Sequence, residues 1–177
     1  MRFHFIRFGF ILLAAAACTT AHRVGLPRGS EVRVRGSGSP GTAGRVEERR
    51  LLDCSQPTGA VHGKANAQHG RPTVASNGLG DSLRLAPDVV PANTEVKIAR
   101  GSSMKYRWVD VSAGSVTPTP PATLTIDLRG CTQGKTGLFI VRWVPALSVW
   151  DSVGGTVTDS TITANLTHLS VYAIAGG

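Results

Sequence analysis

Charge, aromatic residues, cysteine and long apolar runs are all scarce in this chain, and each scarcity removes a class of protein. Charged residues make up 17% and aromatic residues 6% of the 177 positions, with Gly, Ser and Thr filling much of the rest. Extended amphipathic helices need regular charged faces, and none is written here. The longest apolar run, Phe8 to Ala17 (FGFILLAAAA), is half the length a membrane-spanning helix requires, about 20 residues. No GxSxG elbow, HExxH pair, phosphate-binding loop or dinucleotide fingerprint occurs. Without them the chain is read as non-enzymatic, with no cofactor. His62 and His69 stand seven apart with no Cys, Asp or Glu at ligand spacing, so no metal site is assigned. Asp127 and Asp151 are read as solvated turn or strand carboxylates.

What is present begins with an address. Arg2 and Arg7 precede the apolar run, and small residues follow it, the three parts of a secretory signal over residues 1–17. Cys18 comes next. Small residues ending in Cys resemble the lipobox of bacterial lipoproteins, which implies acylation of Cys18 as the mature N-terminus. Such a chain is exported and held in the cell envelope, at the outer membrane or in the periplasm. Without lipidation of Cys18 it is secreted, and an uncleaved or cytoplasmic start is the third alternative.

Positive charge is unevenly placed. Thr19 to Arg71 carries nine basic and four acidic residues, a net +5, whereas Pro72 onward carries eight and seven, a net +1. Residues 18–50, with their GSGSPGTAG centre, hold too little apolar surface to offset the entropy of ordering and read as a disordered basic linker. A basic arm of this kind suits anionic headgroups or wall polymers beside a membrane. Nucleic acid is not expected as a partner; the membrane, through the anchor, is, together with envelope proteins or wall polymer.

Residues 51–78 read as a lead-in segment containing Cys54. From Leu79 to Gly177 the pattern changes to short runs of period two, as in Thr123-Leu124-Thr125-Ile126-Asp127-Leu128. Pro, Gly and Asp punctuate the gaps. About eight such runs predict an all-β domain, an antiparallel β-sandwich. The run Ile162 to Ala175 is long for one strand and predicts a bend or bulge near Thr167. With Cys18 acylated, Cys54 and Cys131 remain as an even pair in an oxidising compartment, which points to a disulfide; two separate buried thiols are the alternative.

Four stretches in order resemble the ZU-five domain, a β-sandwich found in junctional scaffolds, netrin receptors, ankyrins and bacterial lipoproteins. They are Leu85 to Val90 with Thr94 to Ile98, Pro121 to Leu128 (PATLTIDL), Leu138 to Trp150, and Ala164 to Ala175 (ANLTHLSVYAIA). Asp88-Val89 stands where the family writes Gly-Ala, and Leu169 where it writes Phe. The resemblance implies a scaffold or interaction module.

Two further groups of residues are candidates. His168-Leu169-Ser170 matches by type and order a self-cleavage site of related folds. There His acts as general base while Ser attacks the preceding carbonyl, splitting Leu169 from Ser170. The plainer reading makes these three part of a core strand. Trp108, Trp143 and Trp150 are candidate ligand-facing aromatics of a carbohydrate groove, with core packing as the alternative.

Overall fold

The computed structural model describes Leu26 and residues 31–36, 45–52, 54, 61–101, 106–114, 118, 121–131 and 136–176. Residues 1–17 and Cys18, and with them the signal and the lipidation site, lie outside the described residues.

The fold is all-β, with no α-helix among the described residues. Its strands are β1 (Glu31–Arg35), β2 (Val46–Leu51), β3 (Val61–Asn66), β4 (Thr73–Ser76), β5 (Ser82–Leu85), β6 (Glu95–Arg100) and β7 (Trp108–Ser112). After them come β8 (Ala122–Asp127), β9 (Phe139–Val144), β10 (Val149–Gly154), β11 (Thr156–Val157), β12 (Thr161–Leu166) and β13 (Val171–Gly176). They form two sheets. One has the order β2-β1-β10-β9-β13-β7-β6-β3, and the other β11-β12-β8-β5-β4.

A pairing of β2 with β13 closes the larger sheet on itself, so β2, β1, β10, β9 and β13 make a five-stranded ring. The geometry of β13 makes this possible. One of its edges is held by β9; the other is shared, Val171–Ala173 pairing with β7 and Ala175–Gly176 with β2. The sheet forks at that strand. The only parallel pairing among the described strands, β1 on β10, completes the ring.

Period-two alternation then divides the apolar residues between two cores. Tyr172 and Ile174 of β13 face a cluster shared with the smaller sheet, which includes Leu83, Leu124, Ile126, Ile140 and Ile162. Val171, Ala173 and Ala175 face the inside of the ring, with Val32, Val34, Leu51, Val141, Trp143 and Trp150. Each fully buried large side chain contributes roughly 1.5–3 kcal/mol, so both clusters matter to a fold of this size.

Two sequence expectations are corrected here. The stretch 18–50, read as a disordered linker, holds β1 and most of β2. Val32 and Val34 are only two apolar residues, too few to offset ordering alone, but the ring supplies the rest of their core. The lead-in 51–78 likewise contains β3 and β4. Second, Ile162 to Ala175 is not one bent strand. The chain leaves β12 in the smaller sheet and enters β13 in the larger one, so the break expected near Thr167 is a change of sheet. The Tyr172 hydroxyl, at the start of β13, donates to the His168 carbonyl four residues back and fastens the crossing, as tyrosine corners do in other β-proteins.

Candidate functional site

Buried ionic groups gather where β6 and β8 end and β7 begins. Asp81, in the tight β4–β5 turn, has a fully buried side chain. Its Oδ2 accepts from Asn77 Nδ2 and Arg100 Nε, both at 2.7 Å, and its Oδ1 from the backbone N–H of Asp127 at 2.9 Å and from Arg100 Nη2. A carboxylate out of water survives only with its lone pairs filled in this way. Gly80 is required beside it: a Cβ there would lie 2.7 Å from Asp127 Oδ2.

Asp127, taken from the sequence for a solvated carboxylate, is buried. Burial by itself raises its carboxyl, but bonds from the Arg129 side chain and backbone N–H, helped by the charge of Arg107, bring it below the usual carboxylate range. Arg107 is 2% exposed. Burial, aided by the like charge of Arg100, lowers its guanidinium to about 10 against the pull of Asp81 and Asp127. Its Nη1 donates to the Asp127 carbonyl and its Nη2 to the Arg129 carbonyl at 3.0 Å.

Beside this cluster Cys54 and Cys131 are joined in a disulfide across a sequence separation of 77. They form an isolated antiparallel bridge between the segment following β2 and the turn following β8. Pairing as a disulfide, one of the two alternatives left by the sequence, is what the structure has.

A second ionic group ties β1, β9 and β10 together within the ring. Arg35 Nε and Nη2 reach Asp151 at 2.8 and 3.0 Å, and Arg142 Nη2 reaches the same carboxylate at 2.8 Å. Burial opposes ionisation of Asp151, and the two arginines outweigh it, holding the carboxyl below its ordinary range. Asp151 is therefore a paired group and not a solvated one, and Arg35 belongs to the fold and not to a free basic arm.

The motif His168-Leu169-Ser170 sits in the crossing between sheets. His168 is exposed and its Nδ1 shares a hydrogen bond with Thr167 Oγ1 at 2.9 Å. Ser170 is buried, and its hydroxyl donates to the Trp143 carbonyl at 3.2 Å. Leu169 is half-buried against the inter-sheet core. Both polar side chains are thus engaged with groups other than each other. Desolvation and the nearby Arg142 guanidinium also lower the imidazole below its ordinary range, against the pull of Asp151.

Trp108, Trp143 and Trp150 do not face a surface groove. They are 7%, 3% and 2% exposed and belong to the ring core, where Trp143 and Trp150 pack at 5.3 Å between centroids and 57° between planes. Trp108 needs Gly101, since a Cβ there would overlap its indole at 1.8 Å. Trp143 and Trp150 oppose each other across β9 and β10 close to the turn that joins them, and a cross-strand pair of indoles signals core as readily as groove.

The sequence reading missed Asp81, Arg100 and Arg107 altogether. Single ionisable residues at strand ends look like solvated boundaries, and only the packing of two sheets reveals that these meet. His69 pairs with Asp88 at 2.9 Å on the surface, and no group of three metal-ligating side chains occurs among the described residues. Compared with models of protein families, with curated proteins and with solved structures, the chain matches none of them.

Proposed function

We propose that this chain is an exported envelope protein, tethered by acylation of Cys18, that presents a non-catalytic β-module for structural or interaction purposes. The observation that carries it is the Cys54–Cys131 disulfide, because such bonds persist in oxidising compartments outside the cytoplasm. The two-sheet part of the fold is read as a β-sandwich of the ZU-five type. Asp88 supports that reading: it stands where the family writes Gly and has φ of 57°, a conformation that favours glycine. Its carboxylate accepts from the Gly70 N–H at 2.9 Å. A non-catalytic role is supported by the engagement of Ser170 with Trp143 and of His168 with Thr167. The test is incorporation of labelled fatty acid, expected in wild type and absent in Cys18→Ser; equal labelling of both refutes the tether.

One observation favours a second reading, binding of neutral wall polysaccharide. Register places Thr156, Thr163, Thr125, Ser82 and Ser76 opposite one another in one row across all five strands of the smaller sheet. Adjacent strands lie about 4.8 Å apart, and the row carries five hydroxyls, of which those of Thr125 and Thr163 share a hydrogen bond at 3.1 Å. Co-sedimentation with insoluble wall material, lost in Thr125→Lys, is the expected result; unchanged sedimentation excludes this face.

A further inference from the structure

We infer that Arg107 is the residue that aligns Cys54 with Cys131 for oxidation, and so decides which of the three cysteines of the chain become paired. The inference borrows from the proposed function only the oxidising compartment.

Pairing has a competitor. A loop of 77 residues encloses β3 to β8, and closing it in an unfolded chain costs roughly 4.5 kcal/mol in entropy. Cys18 is nearer to Cys54 along the chain. A loop of about half the length is easier to close by about 0.6 kcal/mol. In the absence of structure, Cys18 is therefore the favoured partner for Cys54 until it is modified. The native pair needs the two segments brought together first.

Arg107 touches both. Its backbone N–H approaches the Leu52 carbonyl at 3.5 Å, two residues before Cys54. Its guanidinium donates to the carbonyls of Asp127 and Arg129, the latter two residues before Cys131. The turn is closed by the Cys131 N–H on the Leu128 carbonyl at 3.2 Å. One residue thus fixes the backbone on each side of the bridge, and a planar fork with two donor groups holds two carbonyls in a way a single ammonium does not. Arg107 is a positioning residue; its bonds go to the backbone of the two segments.

The reaction is thiol–disulfide exchange with a disulfide oxidant such as oxidised glutathione. Cys131, the less buried of the two, attacks as thiolate, forming a mixed disulfide and releasing one glutathione thiolate. Cys54, as thiolate, then attacks the Cys131 sulfur and releases the second. Two protein thiols give up two protons and two electrons, and the oxidant becomes two thiols.

The test uses the full chain with three unmodified cysteines, reduced, denatured, and refolded in a glutathione redox buffer, with pairing read by non-reducing peptide mapping. Wild type should yield mainly Cys54–Cys131. Arg107→Met should lower the ratio of that pair to Cys18-containing pairs at least tenfold, and Arg107→Lys by threefold or more. Val141→Ala, a truncation in the ring core, which contains neither Cys54 nor Cys131, controls for lost stability and should leave the ratio within twofold. A wild-type ratio in Arg107→Met, or an equal fall in Val141→Ala, overturns the inference. Should Arg107→Met not fold, Arg107→Lys decides by the same threefold criterion, and an unchanged ratio overturns it. Mispairing as stated in a chain that takes up no fatty acid refutes the lipid tether alone.

Discussion

Truncating Trp150 to alanine tests whether the five-stranded ring is a core in its own right. Trp150 is 2% exposed, lies directly opposite Trp143 on β9 and beside Val34 on β1, and draws its environment from three strands of the ring. Removing a buried Trp costs about 3–5 kcal/mol through lost transfer energy and an unfilled cavity. The tilted contact with Trp143 adds about 0.5–1.5 kcal/mol. A total near 4–6 kcal/mol is a large share of the roughly 5–15 kcal/mol available to a domain. It corresponds to a fall in Tm of about 8–24 °C at this chain length. Phenylalanine should behave differently. The Trp150 Nε1 is buried without a hydrogen-bond partner, so Trp150→Phe loses volume but also removes a donor whose burial carries a penalty of about 1–3 kcal/mol. A net cost of about 1 kcal/mol or less is expected. Urea unfolding followed by far-ultraviolet circular dichroism, with the disulfide intact, measures both. A loss below about 1 kcal/mol for Trp150→Ala refutes the ring as a packed core and restores the indole as a surface group.

Deleting the chain up to residue 36 removes β1, exposes one edge of β10 and uncouples Arg35 from Asp151; a soluble fragment as stable as the full chain would contradict the ring. Asp81→Ala leaves Arg100 buried without its carboxylate and should destabilise by about 3–5 kcal/mol, read as a shift of the urea midpoint. Acid should destabilise the protein through Asp127 and Asp151. Their folded-state values lie below the unfolded carboxylate value of about 3.9, so their contribution is complete above that pH and is lost as pH falls through the folded values. Asp151→Asn should flatten this acid limb, and an unaltered limb argues against the pairing with Arg35 and Arg142. His168→Ala should cost about 1 kcal/mol or less and leave the intact mass of the chain, apart from the substitution, unchanged; conversion of two fragments into one chain would establish self-cleavage at Leu169-Ser170.

Local alternation by itself determined most of the strands after Leu79, because a half-buried strand writes its period of two into the residues that form it. Thr123 to Leu128 is legible in this way. The even pair Cys54 and Cys131 was legible too, on the expectation that Cys18 is acylated in an oxidising compartment. Strands β1 and β2 were not, since Glu31-Val32-Arg33-Val34-Arg35 alternates but has no core of its own. Its apolar partners, Trp143, Trp150 and Val171, lie more than a hundred residues away in the chain. Only the tertiary structure decided that β13 divides one edge between β7 and β2, closing the ring around those indoles. It also decided that β12 and β13 belong to different sheets, because the same alternation fits one long strand or two short ones. Nor could the sequence reveal the buried arginines. Asp81 and Asp127 lie 46 residues apart with Arg100 and Arg107 between them, and an ionisable residue becomes a buried partner only when packing removes the water around it.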